Sequence, residues 1–590
     1  MLFSFAATLS AAGPVVAGTP YTVTLDSTGT SSVASWSLSW GDGTSQTVTS
    51  TSDPMTVSHT YSSTGDYSPT AAAHLSGGGT EAAVPLTLDG NFGGTHAGGT
   101  QPGVAVTNVT TGADAAYATV IQPNSDVVVA GVSNGNLFEI CRYLPNGGLD
   151  NGFGTSGKVD INFGGGSTDE AYGLAIDPNG DLVAVGVDNG SFAIARVTSS
   201  GALDTTFGSS GLVTTAFSGY TAVATSVAIQ PLSSGSYDIV VAGYVDVTSG
   251  CYPWGSANFA VARYTYAGAL DTTFNSSGKE IISAAPESDH DYAQAIQIQP
   301  NATYPTVLSD DDYVIGGYSA AYSSCGSGSP VTQDFALTRL SYSGGTTSFG
   351  TGSNWAQTEI GTTDTSGCSG CTGPSIDSDY SLIIQSDGKL ISAGSTVVED
   401  NPSSFALARY SANGMLDTTF GSSGIVATPF SSGAVGYGAA LETIGSNTYI
   451  VVAGYMSGGI SGDFAVARYT SSGSLDSTFG SGGQINTDIG GGSDSAQAVA
   501  IDPQTGDIIA AGSSTSPGNA AFALVAYRPD NLVHVTLPAP TPLTLTTVST
   551  SEIDLGWTDP SGTSSSIVQQ SADGVNWTTI ASPTGGCMAL

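Results

Sequence analysis

Phe192-Ala193-Ile194-Ala195-Arg196-Val197-Thr198-Ser199-Ser200-Gly201-Ala202-Leu203-Asp204-Thr205-Thr206-Phe207-Gly208 joins two phrases that recur along the chain, and their recurrence decides the fold. The first phrase, Phe-x-x-x-Arg, stands at Phe138/Arg142, Phe192/Arg196, Phe259/Arg263, Phe335/Arg339, Phe405/Arg409 and Phe464/Arg468, and so takes up six of the seven arginines. A seventh copy, Phe522 to Tyr527, carries Ala526 in the arginine position. Successive positions are 54, 67, 76, 70, 59 and 58 residues apart. A residue this rare falls on one repeated position only if the chain is built of repeated units.

Around the phrase each unit has strand-like runs such as Val227-Ala228-Ile229-Gln230-Pro231 and Asp238-Ile239-Val240-Val241-Ala242-Gly243-Tyr244. Several β segments per unit and no helical period predict an all-β architecture. Both a propeller and an open solenoid suit such a repeat. The ends decide between them. The second phrase, Leu-Asp-x-x-Phe-Gly, occurs at Leu88-Asp89-Gly90-Asn91-Phe92-Gly93 ahead of any arginine phrase, whereas the seventh unit runs into Pro529-Asp530-Asn531-Leu532 without one. The N-terminal piece completes the last unit only in a ring, which also removes the exposed sheet edge. The expectation is a seven-bladed β-propeller closed by residues from both ends.

An aspartate follows the arginine by eight residues in five units: Arg142/Asp150, Arg196/Asp204, Arg263/Asp271, Arg409/Asp417 and Arg468/Asp476. With Ser199-Ser200-Gly201 as a three-residue hairpin loop, Arg196 falls opposite Asp204 as a cross-strand ion pair. Five repeats of one pair point to scaffold, since an active site is not needed five times. Thr347 opposite Arg339, and Ala526 with Asp89, break the pattern.

Ten basic residues against 48 acidic ones give a net charge of -38. That excludes a nucleic-acid role and disfavours anionic membranes, both of which need clustered Lys and Arg. Low total charge, 80 glycines and 40% hydrophobic residues suit extracellular β structure. No run reaches the roughly 18 apolar residues of a membrane helix. The start, Met1 to Leu9, lacks a positive n-region, so it is a poor signal peptide and reads better as the first strand of a domain whose beginning is missing.

The repeat resembles the delta-60 repeat of large secreted bacterial proteins, which couples a Gln-Pro-x-Gly-Lys-Ile-Val-Val-Ala-Gly-type hairpin to Phe-Ala-x-Ala-Arg-Tyr and Leu-Asp-x-x-Phe-Gly. The resemblance implies a propeller-like fold without assigned catalytic residues and covers residues 88–536. Residues 1–87 resemble a PKD domain, an immunoglobulin-like sandwich, through Trp36-Ser37-Leu38-Ser39-Trp40-Gly41-Asp42-Gly43 and His59-Thr60-Tyr61-Ser62-Ser63-Thr64-Gly65-Asp66-Tyr67. Residues 537–590 resemble the start of a fibronectin type III sandwich, through Ser551 to Trp557 and Ile567 to Trp577.

Sharper motifs weigh less than their bland readings. Gly131-Val132-Ser133-Asn134-Gly135 matches the nucleophile-elbow pattern but lies between two strands, where Ser-Asn-Gly is turn chemistry. Ser571 to Trp577 is one residue short of a sialidase Asp box. Asp310-Asp311-Asp312 with Asp289 and Asp291 offers oxygen ligands for calcium but lacks the Asp-x-Asp-x-Asp-Gly spacing, so no cofactor is expected. Asp114, Asp169, Asp291, Asp377 and Asp494 recur before the first strand of a unit and read as turn formers. The four outlying histidines share no metal spacing. Cys251 with Cys325, and Cys368 with Cys371, are candidate disulfides in an oxidising compartment, and Cys141 is a buried thiol. Tyr252, Trp254 and Tyr322 sit in long loops of the third and fourth units, as candidate ligand contacts or as loop packing.

The functional expectation is a non-enzymatic, secreted or surface-attached bacterial protein whose propeller recognises an extracellular carbohydrate or protein. The alternative is a polysaccharide hydrolase or lyase with its site on one propeller face.

Overall fold

The computed structural model describes residues 92–93, 103–110, 112–164, 169–232, 236–246, 257–283, 289–300, 311–321, 332–351, 354–361, 375–398, 402–457, 462–515 and 518–528 of the repeat region. Outside it are described the strands at 20–25, 33–39, 45–49, 55–60, 70–75, 544–549, 552–556, 568–570, 578–581 and 587–589. Loop residues Cys251, Tyr252, Trp254, Asp310, Tyr322, Cys325, Cys368 and Cys371 lie outside the described residues, as does Asp89.

Leu88–Tyr527 is one compact unit, and Met1–Thr87 and Arg528–Leu590 fall outside it. Within the unit the strands form seven four-stranded antiparallel groups, the fourth and fifth joined by a single bridge from Gln333 to Ile376. The first group is Ala115–Ile121, Val127–Ser133, Leu137–Tyr143 and Lys158–Ile161, in that spatial order. The first strands of the following groups are Asp169–Ile176, Thr221–Pro231, Asp289–Gln299, Ile376–Ile384, Ala434–Ile444 and Asp494–Ile501. Each packs against the next, and Asp494–Ile501 returns to Ala115–Ile121, so the first strands form a closed inner ring.

Strands inside a blade are covered on both sides by neighbouring blades, which is why they read as continuous apolar runs. Val127–Ser133 is buried along its whole length, whereas the fourth strand Leu212–Thr215 is mostly half-exposed. The cores lie between blades: Val183 and Ile194 of the second pack with Ile239 and Ala260 of the third.

Closure uses both ends of the region. Val104–Thr107 is the fourth strand of the seventh blade, pairing Phe522 with Thr107 and Val525 with Val104. The Ala526 N–H donates to the Gly103 carbonyl at 2.9 Å. Phe92 is buried against Leu524, Ala526 and Tyr143.

The arginine phrase ties blade to blade. Arg196 donates to Asp204 Oδ2 at 2.8 Å, lies over the Phe207 ring at 4.6 Å, and donates through Nη1 to the Tyr266 carbonyl of the next blade's hairpin. Arg142 repeats this with Asp150, Phe153 and the Ser199 carbonyl, the last at 2.6 Å. Arg263 and Arg409 do the same with Asp271 and Asp417 and with the carbonyls of Tyr342 and Ser471. Arg468 pairs with Asp476 at 2.8 Å and also with Glu442 at 3.1 Å. The hairpin glycine makes this approach fit: Gly201 has φ +86°, and a Cβ there would lie 2.2 Å from the Gly154 nitrogen of the preceding blade. Arg339 does not lose its countercharge with Thr347. Thr347 accepts from Arg339 Nε at 2.9 Å, and Asp312, the first residue of the blade's second strand, stands 3.3 Å away.

Residues 1–87 contain a two-stranded pairing of Pro20–Leu25 with Met55–Thr60 and a three-stranded sheet ordered Ser45–Thr49, Val33–Ser39, Thr70–Leu75. Near the C-terminus Thr544–Ser549, Glu552–Gly556 and Cys587–Ala589 form one small sheet, and Val568–Gln570 pairs with Thr578–Ala581.

Candidate binding site

Every first strand breaks register once, near its beginning. The breaks fall between Ala116 and Ala118, Ala171 and Gly173, Ala224 and Ser226, Ala293 and Ala295, Asp379 and Ser381, Gly436 and Gly438, and Ala496 and Ala498. A β-bulge leaves one residue without an opposite number and re-aims its side chain. The seven bulged residues are Tyr117, Tyr172, Thr225, Gln294, Tyr380, Tyr437 and Gln497, all half-buried. The residue after each is small because the next inner strand comes close: a Cβ on Gly173 would lie 3.0 Å from Ser226 Cα.

The bulged tyrosines join others into a belt of two runs, a pair in the first two blades and a longer run through the third to sixth. Tyr117 and Tyr172 have ring centroids 5.2 Å apart. Tyr244, Tyr292, Tyr318, Tyr380, Tyr437 and Tyr455 then follow in succession at centroid distances of 4.9, 5.2, 6.2, 4.9 and 6.1 Å. Burial, then the Glu170 carboxylate, raises the Tyr172 phenol, with Tyr117 and Tyr244 adding to it. Burial also raises Tyr117, Tyr244, Tyr380 and Tyr437. These phenols are therefore neutral hydroxyls at physiological pH, able to donate and accept. Glu170 and Asp246 are carboxylates beside the belt, and Glu170 accepts from the Tyr172 hydroxyl.

Such a surface offers ring faces for stacking and hydroxyls for orientation, which is the chemistry of a half-apolar ligand. It escaped the reading of the sequence, although a signal exists. Tyr117, Tyr172 and Tyr380 each stand three residues after a recurring aspartate, Asp114, Asp169 and Asp377.

The other sequence candidates fall elsewhere. Ser133 is buried and donates to Glu139 Oε2 at 3.1 Å, so it is not presented as a nucleophile. Cys141 is a buried free thiol. Asp312 is engaged by Arg339, and Asp311 Oδ2 accepts from Gln230 Nε2 at 3.1 Å. Asp114, Asp377 and Asp494 accept backbone N–H groups from the segment leading into their strands, at 2.9, 2.6 and 2.6 Å.

The fold defines a β-propeller protein with a seven-fold repeat. Residues 178–207, 385–420 and 450–479 match the family described as "Domain of unknown function (DUF5122) beta-propeller", and residues 6–88 match the PKD domain. No curated relative matches the chain. Among solved structures the chain is similar to Drosophila plexin A in complex with semaphorin 1b, at 8% identity, covering 71% of this chain and 88% of that one with a TM-score of 0.33. An ulvan lyase bound to its saccharide gives 11%, 72%, 95% and 0.38. A protein from Lactobacillus plantarum gives 12%, 81%, 99% and 0.34. Among the described residues no helix is long and apolar enough to cross a membrane.

Proposed function

We propose that the ring is a non-enzymatic recognition module of a secreted or cell-surface protein and binds an extracellular carbohydrate across the tyrosine belt. The belt carries this reading: successive half-exposed phenol rings match the C–H faces and hydroxyls of sugars. With a net charge of -38 on the chain and Glu170 in the belt, the favoured ligand is a neutral glycan rather than a polyanion. The PKD match suits a modular extracellular protein in which the sandwiches act as spacers.

A glycan array with the full chain, followed by titration of the best ligand, tests the reading. Tyr380→Ala and Tyr437→Ala should each weaken binding by roughly tenfold, equivalent to about 1.4 kcal/mol. Unchanged affinity in both variants sinks it.

The bonded Tyr172–Glu170 pair favours one rival, a hydrolase or lyase in which the pair moves a proton. Turnover of a polysaccharide that disappears in Glu170→Gln would replace the binding reading with the enzymatic one.

A further inference from the structure

Asp463 is the second residue of the third strand of the sixth blade, Asp488 directly follows its fourth strand, and Asp494 begins the seventh blade's first strand. One carboxylate oxygen from each lies within 4.8 Å of the others. Asp494 is 1% exposed; its Oδ2 accepts the Ile489 N–H at 2.6 Å and the Ser514 hydroxyl also supports the carboxylate, while its Oδ1 is buried without a hydrogen-bond partner of good geometry. No Lys or Arg among the described residues forms a salt bridge with any of the three. Three carboxylates this close, one of them with a buried oxygen left over and none bridged to a Lys or Arg, call for a positive ion.

The same three register positions carry acids two blades away. Phe335 pairs with Thr358 as Phe464 pairs with Thr487, so Asp334, Glu359 and Asp377 occupy the same three places. They also repeat the burial, half-buried, exposed and buried in that order. Asp377 Oδ1 is again buried without a donor. Asp334 is pushed up to about 6 by burial, with Asp377 and Glu359 adding to it. At the first blade the equivalent positions are Leu137, Asn162 and Asp169, and the trio is absent.

We propose that Asp463, Asp488 and Asp494 form a calcium site at the seam between the sixth and seventh blades. The donors are all hard oxygens, as calcium prefers, and none is the nitrogen or sulfur that zinc favours. The Asn486 side-chain amide N–H donates to Asp463 Oδ2 at 3.5 Å and so borders the group. The ion would pin the loop from Asp488 to Asp494 onto the start of the third strand. It is a scaffold site, independent of the tyrosine belt.

The test is calcium titration of the chelator-stripped full chain by calorimetry, with magnesium as the comparison and thermal unfolding as a second readout. Calcium should bind and raise the unfolding temperature, more than magnesium does. Asp488→Asn, at an exposed position, should fold normally and lose affinity at this site by at least the roughly 10–100-fold that follows loss of a supporting residue. Asp463→Asn provides the second variant should Asp488→Asn fail to fold. Absence of calcium binding at millimolar concentration, or calcium binding and stabilisation identical in Asp488→Asn, Asp463→Asn and the unaltered chain, overturns the proposal.

Discussion

At the residue scale the first blade carries two exceptions to Phe-Ala-x-Ala-Arg: Glu139 and Cys141 replace the alanines seen as Ala193 and Ala195. Glu139 is 0% exposed and is pushed up to about 9 by burial, with Asp160 adding to it. It is therefore protonated in the folded ring at neutral pH but ionised in the unfolded chain, whose value is near 4.5. The sign follows from linkage. Folding incurs a penalty that begins as pH rises past 4.5 and grows until the folded group ionises near 9. Glu139→Gln, which keeps the shape and cannot ionise, should gain stability over that window by at most about 1.4 kcal/mol per pH unit, and gain none from this source near pH 4. Urea midpoints at several pH values measure it; parallel curves for the two proteins would refute it. Asp417 runs the other way. Lowered to about 2, chiefly by the Thr419 hydroxyl with the Thr419 N–H and Arg409 adding, it contributes stability above pH 3.8 that is lost as pH falls through 2.

At the scale of elements, the hairpin between the third strand and the Leu-Asp-x-x-Phe-Gly segment is the joint of the ring. The eight-residue spacing made the Arg196–Asp204 pairing legible, because a three-residue loop with a left-handed glycine determines which residues face each other. Spacing could not reveal that the arginine also reaches the Tyr266 carbonyl in the following blade, since that contact depends on blade stacking. The same limit hid Asp312, which is far from Arg339 in sequence but adjacent across the strands. Arg196→Ala should leave Asp204 and the hairpin carbonyl uncompensated in a site where the arginine is 4% exposed, at a cost of about 3–5 kcal/mol. Arg196→Lys should recover only part of this, because an ammonium neither stacks flat on Phe207 nor forks between two acceptors. Thermal unfolding of the two variants decides; an unchanged melting temperature in Arg196→Ala would show that the pair carries no net stability.

For the whole molecule, the ring was readable because its ends are offset by one phrase, and a closed β ring is the arrangement that uses both halves. The belt was not readable, because a bulge shifts the two-residue alternation by one and so removes the period that betrays a strand's faces. Removing residues up to 110 deletes Val104–Thr107 and Phe92, exposing the edge of Ala521–Tyr527. The shortened chain should unfold earlier and self-associate, as open edges do. A peptide spanning residues 88–110, added in trans, should restore the elution of the full repeat region on size exclusion; failure of the peptide to act would indicate that closure does not depend on this strand.

The seven bulges have one more consequence. A residue with no opposite number on the neighbouring strand is freed from cross-strand pairing, so Tyr117, Tyr172, Thr225, Gln294, Tyr380, Tyr437 and Gln497 behave as seven letters read across blades, with Tyr117 and Tyr172, and Tyr380 and Tyr437, rewritten as touching pairs. A library randomised at these positions alone would vary ligand preference while retaining the melting temperature of the parent. Evolution and engineering would share the same alphabet.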